Sequence, residues 1–277
     1  EEIEALSGLA NLGIIPRLES DAAFQAALHD PHSAVAEAYR SLGTSLQFST
    51  EGGLPRSIAI TSSGPGEGKS STALALARHF ANLGQKVLLV DADLRKASLH
   101  LKLNLDNSIG LSNYLTGSAA PPDVIQRTEH PNLAFMASGP LPPNAADLLA
   151  GTKMYSLVSI GLEVFDLVVI DTTPLLGLAD AQLVGNAVAA TVFVVGAGQH
   201  RKGMIRSAIR RLQVSRTNLI GVVLTKFNAK HSGYGYGYGY GYGYGYGPDA
   251  YSYGARIPHG ESSGGRQQAA LNDERMS

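Results

Sequence analysis

Three short segments of this 277-residue chain carry residue types suited to handling phosphate. The first, Ser63-Gly64-Pro65-Gly66-Glu67-Gly68-Lys69-Ser70-Ser71, follows an apolar run ending at Thr61 and opens a helical stretch. Strand, glycine-rich turn and helix are the context that a phosphate-binding loop requires. Glycines let backbone N–H groups close around phosphate oxygens, and the helix N-terminus adds partial positive charge. In such a loop Lys69 reaches the β- and γ-phosphates and the Ser70 hydroxyl ligates Mg²⁺. The pattern G-x-x-x-x-G-K-[ST] places its first glycine at Ser63, so the loop is a variant.

The other two segments are strand ends. Val87 to Val90 runs into Asp91-Ala92-Asp93-Leu94-Arg95, and Leu167 to Ile170 runs into Asp171-Thr172-Thr173-Pro174. Ligands of open parallel sheets sit beyond the carboxyl ends of the strands, where these aspartates project. Asp171 occupies the acidic position that serves the metal in nucleotide hydrolases. Asp91 and Asp93, two apart on extended backbone, are expected on one side, one near Mg²⁺ and the other free to accept a proton.

Far downstream lies an acceptor for that chemistry. Tyr234, Tyr236, Tyr238, Tyr240, Tyr242, Tyr244 and Tyr246 alternate with glycine, and Tyr251 and Tyr253 follow. A phosphate-transfer engine and a row of phenols on one polypeptide suggest that the chain phosphorylates its own tail. The intervening glycines keep each phenol accessible.

The elements that must hold these groups are legible as alternation. Apolar runs at 58–60, 87–90, 133–135, 167–170, 191–195 and 219–224 are separated by helical stretches. Runs apolar on both faces belong to a parallel sheet covered by helices. The expected fold is α/β and doubly wound, with a mostly parallel sheet over residues 56–230. Residues 1–55 read as an approach segment, with an extended piece at Ile14-Ile15-Pro16 and a helix carrying Val35, Tyr39, Leu42 and Leu46 at helical spacing. Residues 231–277 are rich in Gly, Ser, Tyr and polar residues, have too few aliphatic residues to build a core, and are expected to be disordered.

Composition excludes several classes. Without cysteine there is no disulfide, thiolate metal site or cysteine nucleophile. A formal net charge of -1 predicts no general attraction to nucleic acid. The eight histidines are scattered, and Pro31 separates the closest pair, His29 and His32, which carry no carboxylate cluster. No apolar run approaches the ~18–20 residues that cross a bilayer. The chain opens on Glu1, so it reads as a soluble fragment with any membrane anchor upstream.

The loop at 63–70, the run into Asp91-Ala92-Asp93-Leu94-Arg95 and the run into Asp171-Thr172-Thr173-Pro174 resemble the Walker A, A′ and B motifs of bacterial tyrosine kinases. These are P-loop NTPase-type cytoplasmic kinase domains tied to capsule and exopolysaccharide export. The resemblance covers residues 14–230 and extends to the tyrosine-rich tail. It implies an ATP- and Mg²⁺-dependent autokinase in which Lys69, Asp91 and Arg95 are catalytic, Asp91 activating the substrate tyrosine. Gly64 through Ser71 would hold the nucleotide, and Ser70, Asp93 and Asp171 the metal. The nine tyrosines would be phosphoacceptors, acting between subunits. It further implies a cognate tyrosine phosphatase, a polysaccharide export machinery and the cytoplasmic side of a bacterial inner membrane.

One feature departs from the family. The E-x-x-R-x-x-R helix used in ring assembly keeps Glu37 and Arg40 but has Gly43 at its last position, which weakens a ring. Glu37 and Arg40 also read simply as an i,i+3 surface pair. Lys202, Arg206 and Arg210 share a helix face, read as solvated or as a contact for acidic groups. Two alternatives stand beside the kinase. One is an ATPase switch of the partitioning and division-site type, which usually carries a second lysine early in the loop; residues 62–67 have none. The other is a nucleotide-gated scaffold.

Overall fold

The structure, a computed structural model, describes residues 2–175 and 177–228. Among the described residues eight strands form one sheet: β1 (Asn11–Pro16), β2 (Ser57–Ser62), β3 (Val87–Asp91), β4 (Ile125–Arg127), β5 (Leu133–Met136), β6 (Leu167–Asp171), β7 (Ala190–Gly196) and β8 (Leu219–Phe227). Their order is β1-β8-β7-β2-β6-β3-β5-β4. Of these strand pairs the β4–β5 pair is antiparallel and the others are parallel. The doubly wound, mostly parallel architecture read from the alternation is the architecture observed.

Both faces of the central strands are buried because alternate side chains enter different cores. Val87, Leu89, Leu167, Val169, Val192 and Val194 pack beneath the helices Ala34–Gln47 and Lys69–Asn82. Leu88, Val90, Val168 and Ile170 meet the helices Leu111–Thr116 and Thr152–Val164 on the other face, where Phe193 and Val195 meet the helix Lys202–Val214. Period-two alternation between two cores is why the runs at 87–90 and 167–170 contain no polar position.

Residues before 56 are built into the same sheet. Strand β1 adds to its edge, Asn11 pairing with Val222 and Ile14 with Leu224. The helix Ala34–Gln47 begins at Ser33, whose Oγ accepts the Ala36 N–H, and buries Val35, Tyr39, Leu42 and Leu46. The Tyr39 hydroxyl lies 3.3 Å from Thr72 Oγ1 on the phosphate-loop helix. The tail at 231–277, with every phosphoacceptor candidate from Tyr234 to Tyr253, lies outside the described residues.

Candidate active site

Three adjacent strands deliver the phosphate-handling groups to one edge. The glycine loop leaves β2, Asp171 ends β6 and Asp91 ends β3; Ile60 pairs with Asp171, and Asp171 with Asp91, across neighbouring ladders. The loop enters the helix Lys69–Asn82 through Gly68, whose φ of 94° lies in the left-handed region open to glycine at little cost. The N–H groups from Gly66 to Ser71 have no acceptor among the described residues. They are the unpaired donors of a helix start, suited to phosphate oxygens.

Glu67, expected only as a nucleotide-binding loop position, is the pin of that loop. Its side chain is fully buried. Oε2 accepts from Ser63 Oγ and Gly64 N–H, both at 2.7 Å, and Oε1 accepts from Gly196 N–H at 3.1 Å, tying the loop to the end of β7. His200 Nε2 lies 4.0 Å from Glu67 Oε2. Glu67→Gln would turn an amide NH₂ toward a backbone donor whichever way it flips. The variant should lose about 1.5–3 kcal/mol of unfolding free energy in urea titration, the scale of hydrogen bonds to a charged group.

Lys69 stands among the three aspartates. Its Nζ is 3.1 Å from Asp93 Oδ2 and 3.8 Å from Asp171 Oδ1. Burial pushes its pKa down, but Asp171, Asp93 and Asp91 together outweigh that, so it is held above its ordinary value as an ammonium. Asp171 is buried, and among the described residues neither carboxylate oxygen has a hydrogen-bond partner. Burial pushes it up to about 7, with Lys69 opposing and Asp91 adding to the rise. Asp91 is pushed by burial up to about 6, against the hydrogen bonds it accepts. Buried carboxylates crowded around one ammonium still lack positive charge.

That deficit fits Mg²⁺. Two orphaned oxygens on a buried carboxylate are donors of the kind it takes. Among the described residues no three acidic or histidine side chains could hold a metal ion. Mg²⁺ characteristically binds through one or two carboxylates plus substrate phosphates, and Ser70 stands beside Lys69 to add a hydroxyl.

The Asp91–Asp93 pair differs from the extended arrangement expected. Strand β3 stops at Asp91, and the chain turns. Asp91 Oδ1 accepts from Asp93 N–H, while Oδ2 accepts from the N–H groups of Ser98 and Leu99. Asp93 Oδ1 in turn accepts from Arg95 and Lys96. Short carboxylates beside free backbone donors favour such local bonds over extension. Asp91 therefore closes the 93–99 turn as well as facing the site.

Arg95 is directed away from that cluster. Its Nε and NH2 bind Asp180 at 2.7 and 3.1 Å, a two-point contact to a buried carboxylate that sequence reasoning missed. Asp180 begins the helix following the Thr172–Ala179 segment, so the contact ties the Asp93 turn to the Asp171 turn. Glu37 and Arg40 pair with each other on one exposed face of their helix. Gly43 is buried against His79, whose ring fills the space a side chain there would need. On the basic helix, Lys202 pairs with Glu2, while Arg211 donates to the carbonyls of Leu175 and Leu178.

Comparison with known proteins agrees with this geometry. Residues 58–234 match the family model of the CobQ/CobB/MinD/ParA nucleotide binding domain. The chain is 39% identical over 209 residues to the tyrosine-protein kinase YwqD of Bacillus subtilis, covering 75% of this chain and 88% of that one. The chain belongs to the bacterial tyrosine kinase family. The kinase domain of Escherichia coli tyrosine kinase ETK superposes with a TM-score of 0.77 at 30% identity, covering 87% of this chain and 98% of that one. A Klebsiella pneumoniae relative assigned to a cps region is 34% identical over 198 residues, 72% of this chain but 27% of that longer one. The MinD protein of Pyrococcus horikoshii, solved with Mg-ADP, shares the fold at 24% identity and a TM-score of 0.53, covering 61% of this chain and 69% of that one. No described helix is long and apolar enough to cross a membrane.

Proposed function

We propose that this kinase transfers the γ-phosphoryl group of ATP to the tyrosines between Tyr234 and Tyr253, the tail of one copy serving as substrate for another. The observation that carries the reading is the convergence of Lys69, Asp93 and Asp171 beside a loop of unpaired N–H groups. Of the loop expected to hold the nucleotide, Gly66 through Ser71 would bind the phosphates through their free N–H groups, while the Gly64 N–H is taken by Glu67 and Pro65 has none; Ser70, Asp93 and Asp171 would hold Mg²⁺. When bound, the ion would supply positive charge against the phosphates. Lys69 adds a fixed positive charge where the transferring group carries most negative charge.

Asp91 takes the phenolic proton. A phenol titrates near 10, so its proton must leave as the O–P bond forms and the bond to ADP breaks. Oδ2 spends both lone pairs on the Ser98 and Leu99 N–H groups, but Oδ1 accepts only from Asp93 N–H and keeps one lone pair for the proton. A pKa near 6 suits a base working near neutrality. Reaching it requires the 93–99 turn to open toward the incoming tyrosine. Arg95, through Asp180, holds that turn in register.

In the cell, this reading puts the kinase at the cytoplasmic face of an inner membrane, where it regulates polysaccharide synthesis and export and is reversed by a tyrosine phosphatase. Glu37 and Arg40 contribute to contacts between copies. Each phosphate adds ~1.5–2 negative charges to the tail, so multiple modification should repel it from neighbouring sites and loosen the assembly. Size-exclusion profiles of modified and unmodified protein should then differ.

Incubation with γ-labelled ATP tests the reading. Acid- and alkali-resistant label on tyrosine is expected, and it should vanish when all nine tail tyrosines are replaced by Phe. A Lys69→Met chain with an intact tail should become labelled when mixed with active protein lacking its tail. Free phosphate without protein label would favour the ATPase switch; neither product would favour a scaffold.

A further inference from the structure

Two consecutive residues of β8 reach the phosphate loop, although strand geometry sends neighbouring side chains to opposite faces. The Thr225 hydroxyl donates to the Glu67 carbonyl, and the Lys226 ammonium donates to the Gly66 carbonyl. The ladder shows how this is possible. Ile14 pairs with Leu224 but Pro16 with Phe227, so β8 carries one more residue than β1 in this stretch. Lys226 has a φ of 56°, in the left-handed region that non-glycine residues seldom occupy. This is a β-bulge, a device that re-aims a side chain, and it turns Lys226 toward the side that Thr225 already faces.

The bonded carbonyls decide where the loop's donors point. In a planar trans peptide C=O and N–H are antiparallel. Holding the Gly66 carbonyl toward β8 directs the Glu67 N–H away from it, and holding the Glu67 carbonyl does the same for the Gly68 N–H. Neither N–H has an acceptor among the described residues. Polarising a carbonyl also strengthens its peptide's N–H as a donor. The loop itself has no lysine before Lys69; the bulge brings one from strand β8, 160 residues away in sequence.

We propose that Lys226, seconded by Thr225, is a positioning residue for the nucleotide phosphates: it fixes the Gly66–Gly68 peptides with their N–H groups toward the phosphates and supplies a second cation at the loop. This rests on the nucleotide-binding reading above. Strain at a left-handed lysine is then retained because the side chain serves the ligand rather than the fold.

Lys226→Gly separates the two roles. Glycine accepts the bulge conformation, so the unliganded protein should melt at the parent's temperature or higher. Equilibrium titration with a fluorescent ATP analogue should nonetheless show binding weakened about tenfold, the scale of one charge-assisted hydrogen bond. The loss should shrink from ATP to ADP to AMP in competition, because it acts through the phosphates. Lys226→Arg should recover most of the affinity. If the parent binds the analogue and Lys226→Gly binds it equally well, or loses ATP and AMP affinity alike, the assignment of Lys226 is overturned while the nucleotide site stands. If the parent binds no nucleotide, both readings fall.

Discussion

Lys69→Met should abolish tyrosine labelling, lowering the rate by roughly 10³-fold, while leaving the fold intact. Methionine keeps most of the stem that packs into the site and removes only the ammonium, so the loss reports charge. That charge is 3.1 Å from Asp93 and 3.8 Å from Asp171, and 11% of the side chain is exposed. Removing a preorganised donor to a developing oxyanion in a dry site costs 10²–10³ in rate, and the cationic group on a transferring phosphoryl is worth about 10³–10⁵. Initial rates on a tyrosine peptide acceptor, read beside circular dichroism, measure the effect. A variant within tenfold of the parent would remove the basis for placing phosphoryl transfer at this loop.

Much of this site was legible because its parts are local. The glycine loop and the strand-end aspartates each span fewer than ten residues, and each occurs where an apolar run stops. The inner strands were legible for a related reason: Val87–Val90 and Leu167–Ile170 are buried on both faces, so no polar residue interrupts them. The edges were not. Strand β4 is three partly exposed residues, too few for a period to emerge. In β1 the piece Ile14-Ile15-Pro16 reads as extended, but nothing local says that it pairs with residues more than 200 positions later.

What escaped reading is the long-range hydrogen bonding that makes the loop rigid. Glu67 looks like a filler position between two glycines, and only the fold brings Gly196 to its carboxyl. Asp180 looks like a helix-start acid, yet it is buried under Arg95. The left-handed geometry of Lys226 depends on a ladder mismatch that a single strand's sequence does not encode. Gly43 reads as a missing ring contact, but nothing local shows that its missing side chain makes room for His79. Chemistry-bearing residues are marked by type, but residues that orient them are ordinary residues in particular places.

Asp171→Asn should uncouple stability from function in opposite directions. The carboxylate is buried and has no hydrogen bond among the described residues, and its pKa is raised from an ordinary 3.8 to about 7. A raised acid binds its proton more tightly in the folded state than in the unfolded one. Its contribution to stability is therefore complete below about pH 4 and is lost as pH climbs toward 7, because the slope of unfolding free energy with pH is negative in that window. Asp91, raised to about 6, acts in the same sense. An amide at 171 carries no charge to bury and does not titrate. Without ligand, the variant's advantage in melting temperature should be small at pH 5 and grow to several degrees by pH 8, at about 2–4 °C per kcal/mol for a domain of this size. Mg²⁺ with nucleotide should reverse the ranking, since it stabilises only the protein that can hold it. The same variant should lose roughly 10²–10³-fold in phosphoryl transfer. Melting curves at both pH values, with and without Mg²⁺–ATP, test this. A parent that outlasts the variant at pH 8 without ligand would mean that Asp171 is satisfied by the fold alone and is not reserved for a cation.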